Sequence, residues 1–206
     1  TGNRTSYREN GQLYQINPWA QKAVNVLANN IAPLPLRVVR GMGRESDYLR
    51  SHPVADFLDN LNPSHSPSEI WREWVVTLML GGEAGCEMVY DRGGRPREMW
   101  LRAPDVITVK ARSQRYRQAE AYVINDGQGE PFRLEPNQFI HYKFFNPLNP
   151  WRGITPVDAI RNSILIDEMA QSWGLLFYKN QARPDFAVVA PEGLTSKEKQ
   201  EILRTL

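Results

Sequence analysis

The amino-acid sequence predicts an α+β protein in which N-terminal helices and a small antiparallel sheet or partly closed barrel precede one long helix. Three observations support this prediction. Helix start signals, with a proline beside a capping residue, recur near the N-terminus. Short strand-like segments separated by Gly, Pro, Asn and Asp fill residues 86–145. Residues 156–181 form a helical pattern without a further proline. The three expected regions are an α/β region at 1–154, the long helix at 155–181 and a β-α element at 182–206.

The first helix is predicted at residues 17–31. Asn17 is a good N-cap, and Pro18 suits the first turn, where its missing N–H would have no partner. The apolar residues that recur every four positions are Trp19, Ala23, Leu27 and Ile31. Prolines end this helix, and residues 36–40 then predict a short strand.

Two further helices are predicted before the β region. A short one follows Pro53, with apolar residues Val54, Phe57, Leu58 and Leu61. The next begins at Ser66, which forms a capping-box pattern with Glu69, and it ends at Gly81-Gly82. Its apolar residues fit one helical face: Ile70, Trp71, Trp74, Val75, Leu78 and Met79.

Residues 86–90 and 97–101 predict a β-hairpin, because the intervening Asp-Arg-Gly-Gly supplies glycines for a tight turn. Further strands are predicted at 106–112, 121–125, 131–134 and 139–145. After the long helix, residues 186–190 predict one more strand, and Thr195 caps a last helix. Because that helical pattern runs to Leu206 without a C-cap signal, we expect the chain to be a fragment of a longer protein.

The long helix has a strong start. Thr155 is a good N-cap, Pro156 takes the first position, and Asp158 completes a capping-box-like pattern. A helix to Gln181 would be roughly 39 Å long at about 1.5 Å per residue. Its polar residues favour one side: Asp158, Arg161, Asn162, Glu168, Ser172 and Lys179. Apolar residues cover much of the rest: Ile160, Ile164, Ile166, Ala170, Trp173 and Phe177. Such a helix should have neighbours on more than one side, and Gly174 suggests a bend or a close approach by another backbone.

Composition excludes several functional classes. With 25 basic and 23 acidic residues, the net charge of +2 gives no strong attraction to DNA or to a membrane surface. No apolar run approaches the roughly 18 residues that suggest a membrane span. One cysteine, Cys86, excludes an intrachain disulfide. Without a signal-peptide pattern, we expect synthesis in a reducing cytoplasm.

The residues offer little chemistry. Cys86 is the one candidate thiol nucleophile, and a sheet could bring His141 beside it, but both fit ordinary strand positions. The three histidines lack metal-ligand spacing, so we expect no zinc site. We predict no catalytic, cofactor or metal site, and the competing hypothesis is a hydrolase or nucleic-acid-modifying domain that uses Cys86 and His141.

Three other motifs have simple structural interpretations. The Gly-Gly-Glu-Ala-Gly stretch at 81–85 lacks a phosphate-loop ending and follows a helix, so a helix stop and a turn are expected. Asp167 and Glu168 are typical of a solvated or subunit-facing helix side. The basic-aromatic segment 112–117 is expected to be a charged hairpin tip rather than a site for stacked bases.

Several stretches, in this order, resemble the portal proteins of tailed bacteriophages and prophages of the Hong Kong ninety-seven type. They are IAPLPLRVVR, SHPVADFLDNLNPSHSPSEIWREWVVTLMLGGEAGCEMVYDRGGRPREMWLRAPDVITV, FIHYKFFNP, RGITPVDAIRNSI and FYKNQARPDFAVVAPEGLTSKEKQEILRTL. The chain departs from the family pattern with Ile154 and Thr155 where Leu and Ser are usual, and with Gln181 where Gly is usual. The resemblance covers nearly the whole chain.

The resemblance implies a structural subunit, without cofactor, of a dodecameric ring at one capsid vertex of a virion. Residues 1–154 would be the wing, 155–181 the first stem helix and 182–206 the start of the clip. The stem helix would pack against neighbouring subunits around the channel. Candidate channel or subunit-interface residues are Arg161, Glu168, Ser172, Trp173 and Lys179.

The implied partners are other copies of the chain, terminase, head-completion or adaptor proteins, and a major capsid or scaffolding protein. Double-stranded DNA would pass through without sequence specificity, and no membrane is involved. A third hypothesis is a small barrel-type binding module that acts as an adaptor. It predicts a compact monomer in which residues 156–181 fold back on the β region.

Overall fold

A computed structural model describes residues 4–41, 47–49, 51–113 and 118–179, with side chains from Tyr7 onward. The helices are α1 (Arg4–Ile16), α2 (Pro18–Ile31), α3 (Pro53–Asp59), α4 (Pro67–Gly81) and α5 (Pro156–Lys179). The strands are β1 (Val39–Arg40), β2 (Asp47–Tyr48), β3 (Glu83–Tyr90), β4 (Pro96–Arg102), β5 (Ile107–Ser113), β6 (Gln118–Ile124), β7 (Phe132–Leu134) and β8 (Phe139–Lys143). Single 3-10 turns lie at Pro104–Val106 and Pro136–Gln138. The predicted α+β class is confirmed.

The predicted caps start α2 and α4. The Asn17 side chain accepts hydrogen bonds from the backbone N–H groups of Trp19 and Ala20 at 3.1 and 3.0 Å. Ser66 and Glu69 form a reciprocal capping box. These contacts satisfy N–H groups that have no partner within the helix, so the local sequence is enough to place both starts.

Helix α1 was not predicted from the sequence. Its Asn10-Gly11 pair is typical of a turn, and the segment has few apolar residues. Tertiary contacts override that local preference, because buried Asn10 donates to the Leu80 carbonyl at 2.8 Å. Leu13 packs in one cluster with Ala20 and Ile164. The helix therefore depends on contacts with distant residues.

Helix α2 buries a different face from the one with the most obvious apolar spacing. Its buried residues are Ala20, Val24 and Ala28. The four-residue series of large side chains is exposed: Trp19 at 67%, Leu27 at 42% and Ile31 at 43%. Small side chains occupy the packed face, which allows close contact with neighbouring helices.

The strands form two three-stranded antiparallel sheets, in the orders β4-β3-β8 and β5-β6-β7, and a two-stranded pair β1-β2. One core cluster lies between the first sheet and the helices: Leu61, Ile70, Cys86, Met88 and Met99. A second cluster joins β5, β6, β7 and β8: Ile107, Ile124, Leu134 and Phe139. The strand expected at 36–40 is shorter, because only Val39 and Arg40 pair with β2.

The structure corrects the turn expected at residues 81–85. Gly82 ends α4 in the left-handed conformation, with φ of 73°. Strand β3 then begins at once with Glu83, and Ala84 is fully buried. The glycines of this segment permit close packing rather than a loop, since a side chain at Gly85 would collide with Phe139 and Ile107.

Gly82 and Gly153 lie backbone to backbone. A Cβ atom added at Gly153 would overlap the carbonyl group of Gly82.

We therefore expect Gly153→Ala to lower the free energy of unfolding by about 1–3 kcal/mol, as overpacking does in tight sites. Gly11→Ala is the matched control, because no atom lies within 4 Å of its added Cβ. Placed inside α1, it should raise stability by up to about 1 kcal/mol. Urea unfolding followed by circular dichroism measures both, and equal stability of the two variants would contradict the close approach.

Residues Thr1–Leu165 form one compact unit, and residues from Ile166 belong to a second. Within the first unit, Val157 and Ile164 of α5 are buried. The predicted strand at 186–190, the last helix, the 182–206 region and the helix end at Gln181 lie outside the described residues. The three-region division stays a prediction. No helix among the described residues is long and apolar enough to cross a bilayer.

Candidate functional site

A buried carboxylate holds the segment that leads into α5. Glu83, the first residue of β3, is 1% exposed. Its Oε1 atom lies 2.5 Å from Nη2 of Arg152, and its Oε2 atom accepts a hydrogen bond from the Gly153 N–H at 2.9 Å. His141 of β8 lies on the other side, with Nε2 at 3.3 Å from Oε2. A buried charge needs such partners. Through them, Glu83 of β3 and His141 of β8 are joined to Arg152 and Gly153 in the segment that leads into α5.

Arg152 extends the same group toward the second sheet. Its guanidinium donates to the Pro104 carbonyl at 2.7 Å and to the Ile107 carbonyl at 2.9 Å. Beyond it, the Thr155 hydroxyl donates to the Met79 carbonyl and accepts from the Val157 N–H. The cap predicted at Thr155 is therefore also a tertiary contact with α4. The first turn of α5 is fixed by these contacts.

A second polar network holds the first turns of α5 on α1. Arg161 donates to Glu9, to Asn10 at 2.9 Å and to Asp158 at 3.0 Å. Asn10 also donates to Asp158 at 3.0 Å. Of the residues predicted for the channel or subunit interface, the structure thus places Arg161 in contacts within its own chain.

The other predicted residues lie beyond Ile166. Glu168 is half-buried, and Ser172, Trp173 and Lys179 are exposed. The Trp173 ring stacks on Phe177, with 5.5 Å between ring centroids and 17° between planes. A Cβ added at Gly174 meets no described atom within 4 Å, so the close approach of another backbone at this position stays a prediction.

The second half of α5 carries an exposed apolar row, here called the α5 stripe. Its residues and exposed fractions are Ile166 67%, Met169 69%, Trp173 69%, Leu176 59% and Phe177 43%. The first four follow the alternating three- and four-residue spacing of a helix–helix seam. Scattered apolar surface residues are normal, whereas a continuous exposed row is a candidate interaction surface.

The α5 stripe is separate from the helix face that α5 buries in the first unit. At about 100° per residue, the centre of the stripe lies about 160° around the helix from Val157 and Ile164. The sequence pattern puts Ile164 and Ile166 in one broad apolar surface, although the two residues lie about 160° apart around the helix. The signal in the sequence is that the apolar spacing changes side between the two halves of the helix.

The Cys–His hypothesis fails on strand register. Cys86 lies opposite Ile140, whereas His141 lies opposite Gly85. Because side chains alternate between sheet faces, Cys86 and His141 lie on opposite faces. Cys86 is fully buried, and this burial raises the pKa of its thiol to about 12. Among the described residues, no three His, Cys, Asp or Glu side chains are grouped so that they could hold a metal ion.

Cys86 is expected to be unreactive in the folded protein. Only the thiolate reacts with maleimides, and at pH 7 a thiol with a pKa near 12 has almost none. Mass spectrometry after maleimide treatment should find no adduct under native conditions and complete labelling in guanidinium chloride. Rapid labelling of the folded protein would contradict the described burial.

A protein-family model for the phage portal protein matches residues 18–206 of the chain. The chain belongs to the phage portal protein family. The predicted resemblance is confirmed, and nothing in the comparisons supports a hydrolase.

The portal chain is 23% identical over 209 aligned residues to an uncharacterised protein of Rickettsia bellii strain RML369-C, covering 98% of this chain and 53% of that protein. The chain thus spans about half the length of the curated relatives it matches.

Three solved structures have a similar fold. The first is the neck of an empty gene transfer agent particle computed with C6 symmetry, with TM-score 0.76 and 23% identity over 100% of this chain and 55% of that chain. The second is the neck of a native particle of this kind computed with C12 symmetry, with TM-score 0.70 and 22% identity over 98% and 53%. The third is an HK97 family phage portal protein from Corynebacterium diphtheriae, with TM-score 0.55 and 12% identity over 93% and 57%.

Proposed function

We propose that this chain forms part of a structural portal subunit, which assembles into a ring at one capsid vertex. The ring is the conduit for double-stranded DNA during genome packaging and ejection. Family membership supports this function, and the exposed α5 stripe is the structural observation that carries it. The proposed subunit assembles into the ring and lets DNA pass through it, and it catalyses no reaction.

The α5 stripe explains why a single copy is incomplete. Covering apolar surface contributes about 25 cal/mol per Å², so burial of five side chains that are 43–69% exposed would favour association. In a closed ring each subunit contacts its two neighbours through different faces. A stem helix that exposes the α5 stripe on one side and Leu175 on another fits such an arrangement. The C12 symmetry of the similar particle neck supports a dodecamer.

The polar side of α5 is the proposed channel side. Glu168, Ser172 and Lys179 fall within about 40° of one another at about 100° per residue. They carry both signs of charge, and the whole chain has a net charge of only +2. Because each neutralised phosphate adds salt-dependent affinity, a balanced surface allows DNA to pass without being held. No sequence preference is expected.

Assembly at a capsid vertex brings further partners. Terminase would dock on the ring during packaging, head-completion or adaptor proteins would follow it, and a capsid or scaffolding protein would surround the ring. These partners follow from the portal family, and the virion is the corresponding location.

The protein at its full natural length tests the proposal. Light scattering coupled to size-exclusion chromatography should give the mass of a closed ring, and negative-stain electron microscopy should show rings with a central hole. A monomer at micromolar concentration in both measurements would overturn the proposed function.

A further inference from the structure

The chain contains a single Asn-Gly pair, Asn10–Gly11, and the pair lies inside α1. In an unfolded chain this dipeptide readily loses the asparagine amide, because glycine has no Cβ to hinder attack by its own backbone nitrogen. Such pairs are typical of turns. Asn10 is instead fully buried, so a reactive dipeptide lies in a closed environment.

The Asn10 amide joins three helices. Its Nδ2 atom donates to the Leu80 carbonyl at 2.8 Å and to Oδ1 of Asp158 at 3.0 Å, and its Oδ1 atom accepts from Nη2 of Arg161 at 2.9 Å. Leu80 lies in the last turn of α4, where carbonyl groups have no partner within the helix. A neutral amide supplies both the donors and the acceptor that these contacts need.

Loss of this amide follows a balanced route. The Gly11 nitrogen attacks Cγ of Asn10, so an N–Cγ bond forms, the Cγ–Nδ2 bond breaks, and ammonia leaves with the proton of the Gly11 N–H. Water then adds to one carbonyl of the resulting five-membered imide and breaks the bond from that carbonyl to nitrogen. Opening at Cγ gives aspartate, and opening at the backbone carbonyl gives isoaspartate. Water is the one co-reactant, and no electrons are exchanged.

The fold opposes both steps of this reaction. Ring closure requires Asn10 to leave the helical conformation and Gly11 to release the hydrogen bond that a helical N–H makes to the carbonyl four residues earlier. The three contacts of the Asn10 amide hold its Cγ in place, and burial excludes the water that the second step consumes. The reaction therefore requires α1 to open.

The products do not fit the site. Aspartate at position 10 has no N–H for the Leu80 carbonyl, and its carboxylate would face that carbonyl and the Asp158 carboxylate at close range. The negative end of the α4 dipole adds to this repulsion. Arg161 is a neighbouring cation, but Glu9 and Asp158 already share it. Isoaspartate inserts an extra carbon into the backbone and interrupts α1.

We propose that Asn10–Gly11 is a deamidation site that the folded chain protects and the unfolded chain exposes. Reaction there converts a chain whose α1 docks on α4 and α5 into one whose α1 does not. The time that a chain spends unfolded therefore limits its return to the fold. This inference concerns the single chain and does not rest on the proposed function.

Peptide mapping by mass spectrometry tests the protection. The full-length protein is incubated in one mildly alkaline buffer with and without guanidinium chloride, and deamidation of the peptide that contains Asn10 is followed over time. It should be at least about 100-fold slower in the native protein, the factor for an opening free energy of about 2.7 kcal/mol. Equal rates in the two samples would overturn the proposal.

Gly11→Ala is the matched variant for the reaction route. The added Cβ hinders ring closure and meets no atom within 4 Å in the fold. Deamidation of Asn10 in guanidinium chloride should therefore be much slower in this variant than in the unmodified protein. A variant that reacts as fast as the unmodified protein would contradict attack by the Gly11 nitrogen.

Asn10→Asp tests the effect of the product on the fold. It should lower the urea midpoint of unfolding by roughly 1 M, because buried groups lose their hydrogen-bond partners. Asn30→Asp is the control, since Asn30 donates to the Val26 carbonyl at 2.7 Å on the exposed side of α2. Its midpoint should change by less than about 0.3 M. Equal midpoints of the two variants would overturn the proposed consequence.

Refolding gives the same answer if Asn10→Asp yields no folded protein. Unmodified protein is kept in guanidinium chloride until part of its Asn10 has reacted, and is then diluted and separated by size-exclusion chromatography. The folded fraction should contain less of the deamidated Asn10 peptide than the total sample. Equal amounts of this peptide in the folded fraction and in the total sample would overturn the proposal.

Discussion

Trp173→Glu is expected to abolish ring assembly of the full-length portal protein. Trp173 is at the centre of the α5 stripe and is 69% exposed in the single chain. Glutamate there would put an unpaired charge into an apolar contact. Truncating a central aromatic anchor alone costs at least about 2 kcal/mol per contact, or about 30-fold in affinity, and the loss repeats at every interface of the ring. Light scattering should show monomers or short oligomers.

Gln171→Glu is the matched control for this effect. It adds the same charge to the same helix, on the side opposite the stripe, where Gln171 donates to Asp167 at 2.7 Å. Its rings should persist, and both variants should keep the circular dichroism spectrum of the unmodified protein. Rings of Trp173→Glu as abundant as those of Gln171→Glu would contradict the role of the stripe.

Glu83→Gln is expected to lower the free energy of unfolding by about 3–5 kcal/mol, because it leaves the Arg152 guanidinium without its buried counter-charge. The Glu83 and Arg152 side chains are 1% and 13% exposed, so water cannot replace the lost contact. Urea unfolding at pH 7 measures the effect. Because Arg152 lies in the segment that leads into α5, loss of stability there should also lower the yield of rings.

Glu120→Gln is the surface comparison. Glu120 pairs with Arg133 at 3.0 Å, but both side chains are 51% exposed, so the expected loss is within about 1 kcal/mol. Replacing Glu83 and Arg152 together, by Gln and Met, should recover part of the lost stability because no charge is then left buried alone. Equal effects of Glu83→Gln and Glu120→Gln would show that the buried group does not stabilise the fold.

Local sequence was sufficient where local contacts decide the structure. Asn17 and the Ser66–Glu69 box placed the starts of α2 and α4, and the Gly, Pro, Asn and Asp residues between short segments placed most of the strands. At these helix starts the backbone N–H groups that need partners find them within a few residues, so the local sequence is enough to place the start.

The sequence failed where distant residues decide the structure. Helix α1 needs the contact of buried Asn10 with Leu80, and nothing within the segment indicates it. The pairing of Glu83 with Arg152 joins residues far apart along the chain, and both residue types are usually exposed. The sequence predicts a turn at residues 81–85, whereas Glu83–Gly85 belong to β3, because Gly85 serves packing against Phe139 rather than chain reversal.

The candidate surface was predicted in part. Residue types identified α5 as a helix with neighbours on several sides, and Trp173 was among the predicted residues. The burial of Ile164 shows which side of α5 packs within the chain and which side remains exposed. That burial depends on tertiary packing, which the sequence does not reveal. Arg161, also among the predicted residues, contacts Glu9 and Asn10 of α1, a helix that the sequence did not reveal.

A cryo-electron microscopy reconstruction of the full-length protein tests the central claim most directly. The expected result is a closed ring in which Trp173, Met169 and Leu176 are buried between adjacent subunits. A ring in which these side chains remain exposed to solvent, or a protein that stays monomeric, would contradict the assignment of the α5 stripe as a subunit contact.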